Sequence, residues 1–206
     1  MVESLSLSEK DALTLRNQAL LASFARLAEA LLSPLGARWL HVQGVARVAV
    51  RMSSLLAPDD VWHLIAAAYL HDVGYAPALW HTGFHPVDGA LFLRQQGYER
   101  LACLVAHHSE ARFEAHLRGL EDLLLRFPRE RSVVADALTF CDLTTSPLGT
   151  RVSLQERARE VTLRYGLDHI VTQALRQALP TKALAIARTR RWLRRHRLDP
   201  DQLFTE

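Results

Sequence analysis

The chain has 206 residues, 49% of them hydrophobic and only 7% aromatic, with a formal net charge of +3. That length is enough for one domain, residues 1–206, with a sizeable core, and so mild a charge argues against a nucleic-acid partner. No run of 18 apolar residues occurs, so a membrane span is not expected. The N-terminus, MVESLSLSEKDAL, lacks the basic and apolar regions of a secretory signal.

Leu and Ala dominate, Gly and Pro number only 9 and 8, and strand-like alternation is scarce, so an all-α fold is expected. The two cysteines, Cys103 and Cys141, fall within apolar helical patterns and read as reduced, buried thiols of a cytoplasmic protein.

In chain order, a first helix is expected from Ser8 to Leu32, with Leu13, Leu20, Phe24, Leu27 and Leu31 as its apolar stripe, closed by Ser33-Pro34-Leu35-Gly36. A second starts near Ala37 and ends before Pro58; His41, Val45, Val48 and Ala49 share its inner face. Asp59 or Asp60 is expected to cap a third helix, over Val61 to Leu70, which delivers His71 and Asp72 side by side. Tyr75 to Phe84 reads as a loop. Pro86 suits a first helical position, so His85 opens a fourth helix that Gly97 closes after Gln96.

The fifth helix, Glu99 to about His108, places Leu101, Leu104, Val105 and His108 on one face and His107 about 100° away from it. Ser109 to Phe127 is expected to continue helically until Pro128. A helix from Arg131 to Leu143 carries Ala135, Leu138 and Asp142 on one face, and the loop Thr144 to Thr150 leads to Arg151. Helices over Leu154 to Tyr165, Asp168 to Leu179 and Thr181 to His196 complete the chain, the last rich in arginine. Those arginines, Arg188 to Arg197, read either as a solvated face or as a patch attracting an anionic partner.

Six inward polar residues therefore sit on otherwise apolar faces: His41, His71, Asp72, His85, His108 and Asp142. Each alone has a plain structural explanation. Together, imidazoles and carboxylates buried in a Leu/Ala-rich interior satisfy one another around a divalent cation, with nitrogen and oxygen ligands suited to iron, manganese or zinc.

The order of these residues resembles the HD-domain superfamily of metal-dependent phosphohydrolases, over about Leu40 to Tyr165. The pattern of a first histidine, a His-Asp doublet and a distal aspartate matches His41, His71-Asp72 and Asp142. The segments Leu70 to Tyr75, His85 to Ala90, His107 to Ser109 and Ser146 to Gly149 are similar to bacterial members that hold two metals. The resemblance implies an HD-type helical bundle with its core at about 37–166, an N-terminal helix at 8–32 and C-terminal helices at 168–197.

It further implies one or two divalent ions (Fe, Mn or Zn, with Mg and Ni also admitted). His41, His71, Asp72 and Asp142 would hold the first, His85 and His108 would complete a second, and Asp72 would bridge. The implied activity is hydrolysis of a nucleotide or small phosphoester by metal-activated water, with Asp72 catalytic. From the chain's own residues, His81, four residues from His85, is a candidate catalytic proton donor or phosphate ligand, and Tyr75, His81 or Arg151 is a candidate substrate contact. The expected partner is a small phosphorylated substrate; a homodimer is open. Two departures stand out. The family's lysine three residues after the doublet is Tyr75 here, and the glycine-rich signature of cyclic-di-GMP phosphodiesterases is missing after His108. The rival readings are a di-iron oxygenase on the same ligand set, although Glu110-Ala111-Arg112-Phe113 replaces the Lys-Arg-Tyr run of some of these, and a non-catalytic metal-binding regulatory module.

Overall fold

The computed structural model describes residues 9–205, with side chains from Arg16 onward. The described residues are all-α, with no strand and one isolated bridge between Thr145 and Arg151. The helices are α1 (Glu9–Leu32), α2 (Ala37–Ser53), α3 (Pro58–Leu70), α4 (His85–Gln95), α5 (Glu99–His107), α6 (Arg112–Arg118), α7 (Glu121–Leu124), α8 (Val133–Leu143), α9 (Leu154–Tyr165) and α10 (Ile170–Arg195). None is long and apolar enough to cross a membrane.

The interior is organised around α3, which buries His63, Leu64, Ile65, Ala66, Ala67, Ala68 and Leu70. It packs against α1, α2, α5 and α8, and its alanines allow those close approaches. A helix that is apolar on nearly every side belongs in the middle of a bundle. On α1, Phe24, Ala28 and Leu32 are buried, with Leu20, Leu27 and Leu31 packed beside them; Leu13 and Ser8 lie outside the described side chains and residues. Cys103 and Cys141 are free and buried, and burial raises both thiols, Cys103 to about 11.

Several elements depart from expectation for physical reasons. Neither Asp59 nor Asp60 caps α3: Pro58 occupies its first turn, Ala57 precedes it, and both aspartates bind Arg100 at 3.0 and 2.6 Å. The stretch Ser109 to Phe127 is not one helix. Ser109 and Glu110 take positive φ (49° and 59°), and Gly119, at φ 69°, ends α6. The C-terminal helix, expected to break at Pro180, runs through it. One backbone hydrogen bond is forfeited, but the apolar face on either side (Ala174, Leu175 and Ala178, then Ala185, Ile186 and Leu193) stays buried. Its start is set by His169, whose Nδ1 accepts from the Val171 amide.

Two glycines fix the packing that brings distant segments together. A Cβ on Gly74 would lie 2.0 Å from the carbonyl oxygen of His85, so only glycine lets the turn after α3 press on the start of α4. A Cβ on Gly44 would lie 2.6 Å from the Cα of Gly149, so α2 can touch the 145–149 loop.

Candidate metal centre

Five segments converge at one end of the core. α2 contributes Arg38 and His41, and the end of α3 and its turn contribute His71 and Asp72. His85 is the first residue of α4, His108 follows α5, and Asp142 lies in the last turn of α8. His41, His71, Asp72, His108 and Asp142 are each at most 7% exposed. His85 is half-buried, its ring stacked on Tyr75 with centroids 3.9 Å apart.

Three of the four histidines share one arrangement. His71 Nδ1 faces the Ala68 carbonyl at 2.9 Å, His108 Nδ1 the Val105 carbonyl at 2.6 Å, and His41 Nδ1 the Ser146 carbonyl at 3.2 Å. A carbonyl only accepts, so each Nδ1 carries the proton and each Nε2 presents a lone pair. Those lone pairs are aimed at carboxylates. His41 Nε2 is 3.0 Å from Asp142 Oδ1, while His71 Nε2 is 3.4 Å from Asp72 Oδ2 and 3.9 Å from Asp142 Oδ1. His85 Nε2 is 3.4 Å and His108 Nε2 3.9 Å from Asp72 Oδ1, and these two nitrogens lie 3.3 Å apart. Asp72 thus turns one oxygen to His71 and the other to His85 and His108.

Lone pairs facing carboxylate oxygens in a dry interior repel unless a cation lies between them. His71 Nε2 makes the point most sharply: it is buried without a hydrogen bond, its approach to Asp72 lacking the alignment one needs. Two groups, His41-His71-Asp142 and Asp72-His85-His108, have ligand atoms within 4.8 Å of one another and could each hold a metal ion. The residues fit divalent cations.

The electrostatics agree. Burial opposes ionisation of Asp72, but Arg38 and His71 outweigh it and hold its pKa well below the usual carboxylate range. Burial likewise opposes a charged Asp142, and the imidazoles of His41 and His71, wherever either takes up a second proton, hold it well below. Burial holds His85 well below its ordinary value and His108 at about 4, so both stay neutral, as metal ligands must. Burial works against a charged His71, yet Asp72 and Asp142 raise it, so without a cation its Nε2 is drawn toward a second proton that a metal would displace.

All six residues expected as ligands are therefore brought together, with Tyr75 beside them. His107 is not among them: its Nε2 donates to the Phe127 carbonyl at 2.6 Å. His81 and Arg151 are not brought to the site either. The Asp88 carboxylate accepts from the Thr82 amide and hydroxyl and the Gly83 amide, a turn that sends exposed His81 to a separate depression beside Trp80 and Gln95. Arg151 is half exposed and pairs with Asp201 at 2.6 Å.

Sequence reasoning missed Arg38, Ser109, Arg157 and Lys182. Arg38 lies one turn before His41, and its Nη1 donates to Asp72 Oδ2 at 2.6 Å while its guanidinium sits 4.0 Å over the Tyr75 ring. The Ser109 hydroxyl donates to Asp142 Oδ2 from a residue at positive φ. A cavity of about 130 Å³ opens on the cluster, walled by Arg38, Tyr75, Arg157 and the α10 residues Val171, Leu175 and Lys182.

The family model for the HD domain matches residues 38–144, just over half of the chain and a span that holds all six clustered residues. This chain belongs to the HD-domain family. No curated protein and no solved structure matches it. In this HD-domain chain the match ends at residue 144, so α9 and α10, which close the cavity, lie outside the matched span.

Proposed function

We propose that this HD-domain chain is a metal-dependent phosphohydrolase acting on a small phosphoester. One observation carries the reading: three buried histidines spend their Nδ1 protons on backbone carbonyls and turn Nε2 toward two shared carboxylates. His41, His71 and Asp142, with Asp72, would hold one ion; Asp72, His85 and His108 would hold a second. Divalent ions there would supply Lewis acidity toward phosphoryl oxygens and a water acidified into the neutral range.

The chain's own residues do the rest. Arg38 fixes Asp72 and adds positive charge at the mouth of the cavity. Tyr75 holds the His85 ring by stacking, and burial raises its phenol so that it stays protonated and able to donate. Arg157 and Lys182 extend the positive wall, and the aliphatic side chains between them exclude water. With His81 turned away, the proton for the departing alcohol comes from a cavity group or from solvent.

The test is phosphate release from a panel of small phosphoesters and nucleotides with Mn²⁺, Fe²⁺ or Zn²⁺ added. Release should require the metal and be abolished in His71→Ala and Asp142→Ala. A metal-loaded protein that releases no phosphate from any ester overturns the reading.

A further inference from the structure

All but two of the 25 lysines and arginines in this chain are arginine; the lysines are Lys10 and Lys182. Lys182, at the middle of α10, is buried and on the wall of the cavity that opens on the His-Asp cluster. It makes no hydrogen bond or salt bridge with any described residue. Every other charged side chain on that wall is paired: Arg38 with Asp72 at 2.6 Å, Arg157 with Glu160 at 2.7 Å, Glu110 with Arg112 at 2.9 Å, and Glu114 with Arg118 at 2.6 Å. Asp142 accepts from the Ser109 hydroxyl and faces His41.

A buried ammonium without a counterion is costly, and a long flexible side chain normally carries its charge out to water. Lys182 instead lines a cavity without a salt bridge to the Asp142, Glu110 or Glu114 carboxylates of the same wall, and an incoming anion would complete its pairing. A compact ammonium is suited to a tetrahedral oxyanion as a point charge, where an arginine would need room for a planar fork. The surrounding wall limits what the anion can be attached to. Val161, Val171, Ala174, Leu175 and Ala178 are aliphatic, and no asparagine or glutamine is present to read a base edge. The two aromatic rings offer no free face: Tyr75 is stacked between Arg38 and His85, and Phe84 is 1% exposed.

We propose that Lys182 is the anion-binding residue of this cavity, and that it selects a small phosphomonoester with an aliphatic organic part over a nucleotide. The substrate preference rests on the hydrolase reading above; the anion site does not. Burial depresses the Lys182 pKa to about 8, with Asp142 pulling the other way, so the side chain is still charged at neutral pH.

The experiment uses the full, Mn²⁺-loaded chain and inorganic phosphate as the probe. Calorimetric titration should show phosphate binding weakened about 10- to 100-fold in Lys182→Met, with bound manganese unchanged. A second measurement needs no variant. Acetic anhydride labelling read by mass spectrometry should find Lys182 protected by phosphate in the native chain while Lys10 is not. Equal phosphate affinity in wild type and Lys182→Met, or labelling of Lys182 indifferent to phosphate, overturns the anion site. Butyl phosphate should then be hydrolysed with the higher kcat/KM than adenosine monophosphate, and the reverse order overturns the selectivity. If phosphate binds through Lys182 and no ester is cleaved, the hydrolase reading fails while the anion site stands.

Discussion

Arg38 and Asp72 form a nearly buried ion pair, 2.6 Å from Nη1 to Oδ2, in the middle of the His-Asp cluster. The same carboxylate faces His71, His85 and His108, so the arginine supplies at Asp72 part of the positive charge that a bound cation would supply. Removing one partner of a buried pair leaves an uncompensated charge, a loss of about 3 kcal/mol. Arg38→Met should therefore destabilise the chain strongly in EDTA. In saturating Mn²⁺ the ion takes over the compensation, and the loss should fall to less than half. Melting curves of both proteins under both conditions measure the difference; equal losses would mean that Asp72 does not face the bound ion.

Lys182 gives a pH signature in which a burial cost is relieved as the pH rises. Its pKa is about 8 in the fold, through burial, against 10.5 in an unfolded chain; Asp142, Glu110 and Glu114 oppose the shift and Arg157 adds to it. Below pH 8 both states are protonated and the burial cost, about 3 kcal/mol, is fully present. Between 8 and 10.5 the unfolded state holds more protons, so stability rises with pH. Lys182→Met should be more stable than wild type at pH 7, and this advantage should shrink above pH 8 and level off near 10.5. Denaturant midpoints in metal-free, phosphate-free buffer at pH 7, 9 and 10.5 test it, and a constant difference would contradict it.

Gly74→Ala probes the contact that delivers Asp72 to His85. Its Cβ would meet backbone atoms of His85 and Gly89, which cannot give way as a flexible side chain could. A loss of about 3 kcal/mol or more is expected, with metal binding impaired. Gly97→Ala serves as the control: Gly97 has positive φ, at 83°, but a Cβ there meets nothing within 4 Å. It should cost only about 1 kcal/mol.

Hydrolysis requires no change of oxidation state, so phosphate release should persist with Zn²⁺, or with Mn²⁺ under strict anaerobiosis. Activity confined to Fe²⁺ with O₂, and no phosphate released from any ester, would favour the oxygenase reading instead.

The cluster was legible in the sequence because helical periodicity places His41, His108 and Asp142 on apolar stripes, and because the His71-Asp72 doublet ends an apolar helix. Periodicity could also separate His108 from His107. It could not reveal Arg38: an arginine one turn before His41 looks like a solvated face, and only the position of Asp72 shows what it binds. Lys182 was hidden by Pro180, which suggested a helix end just where α10 continues on packing alone. The positive φ of Ser109 and Glu110 accompanies contacts with the distant Asp142 and Arg129, which local sequence does not encode. His81 and Arg151 have suitable chemistry and lie near the motifs in sequence, but Asp88 and Asp201 hold their segments elsewhere.

The most direct measurement is the metal content of the purified chain after Mn²⁺ loading and dialysis, by elemental analysis. The geometry predicts about two ions per chain, about one in His85→Ala or His108→Ala, and about two in His107→Ala, whose ring serves a backbone carbonyl. A chain that retains no metal, or His85→Ala and His108→Ala proteins that keep the wild-type stoichiometry, would contradict it.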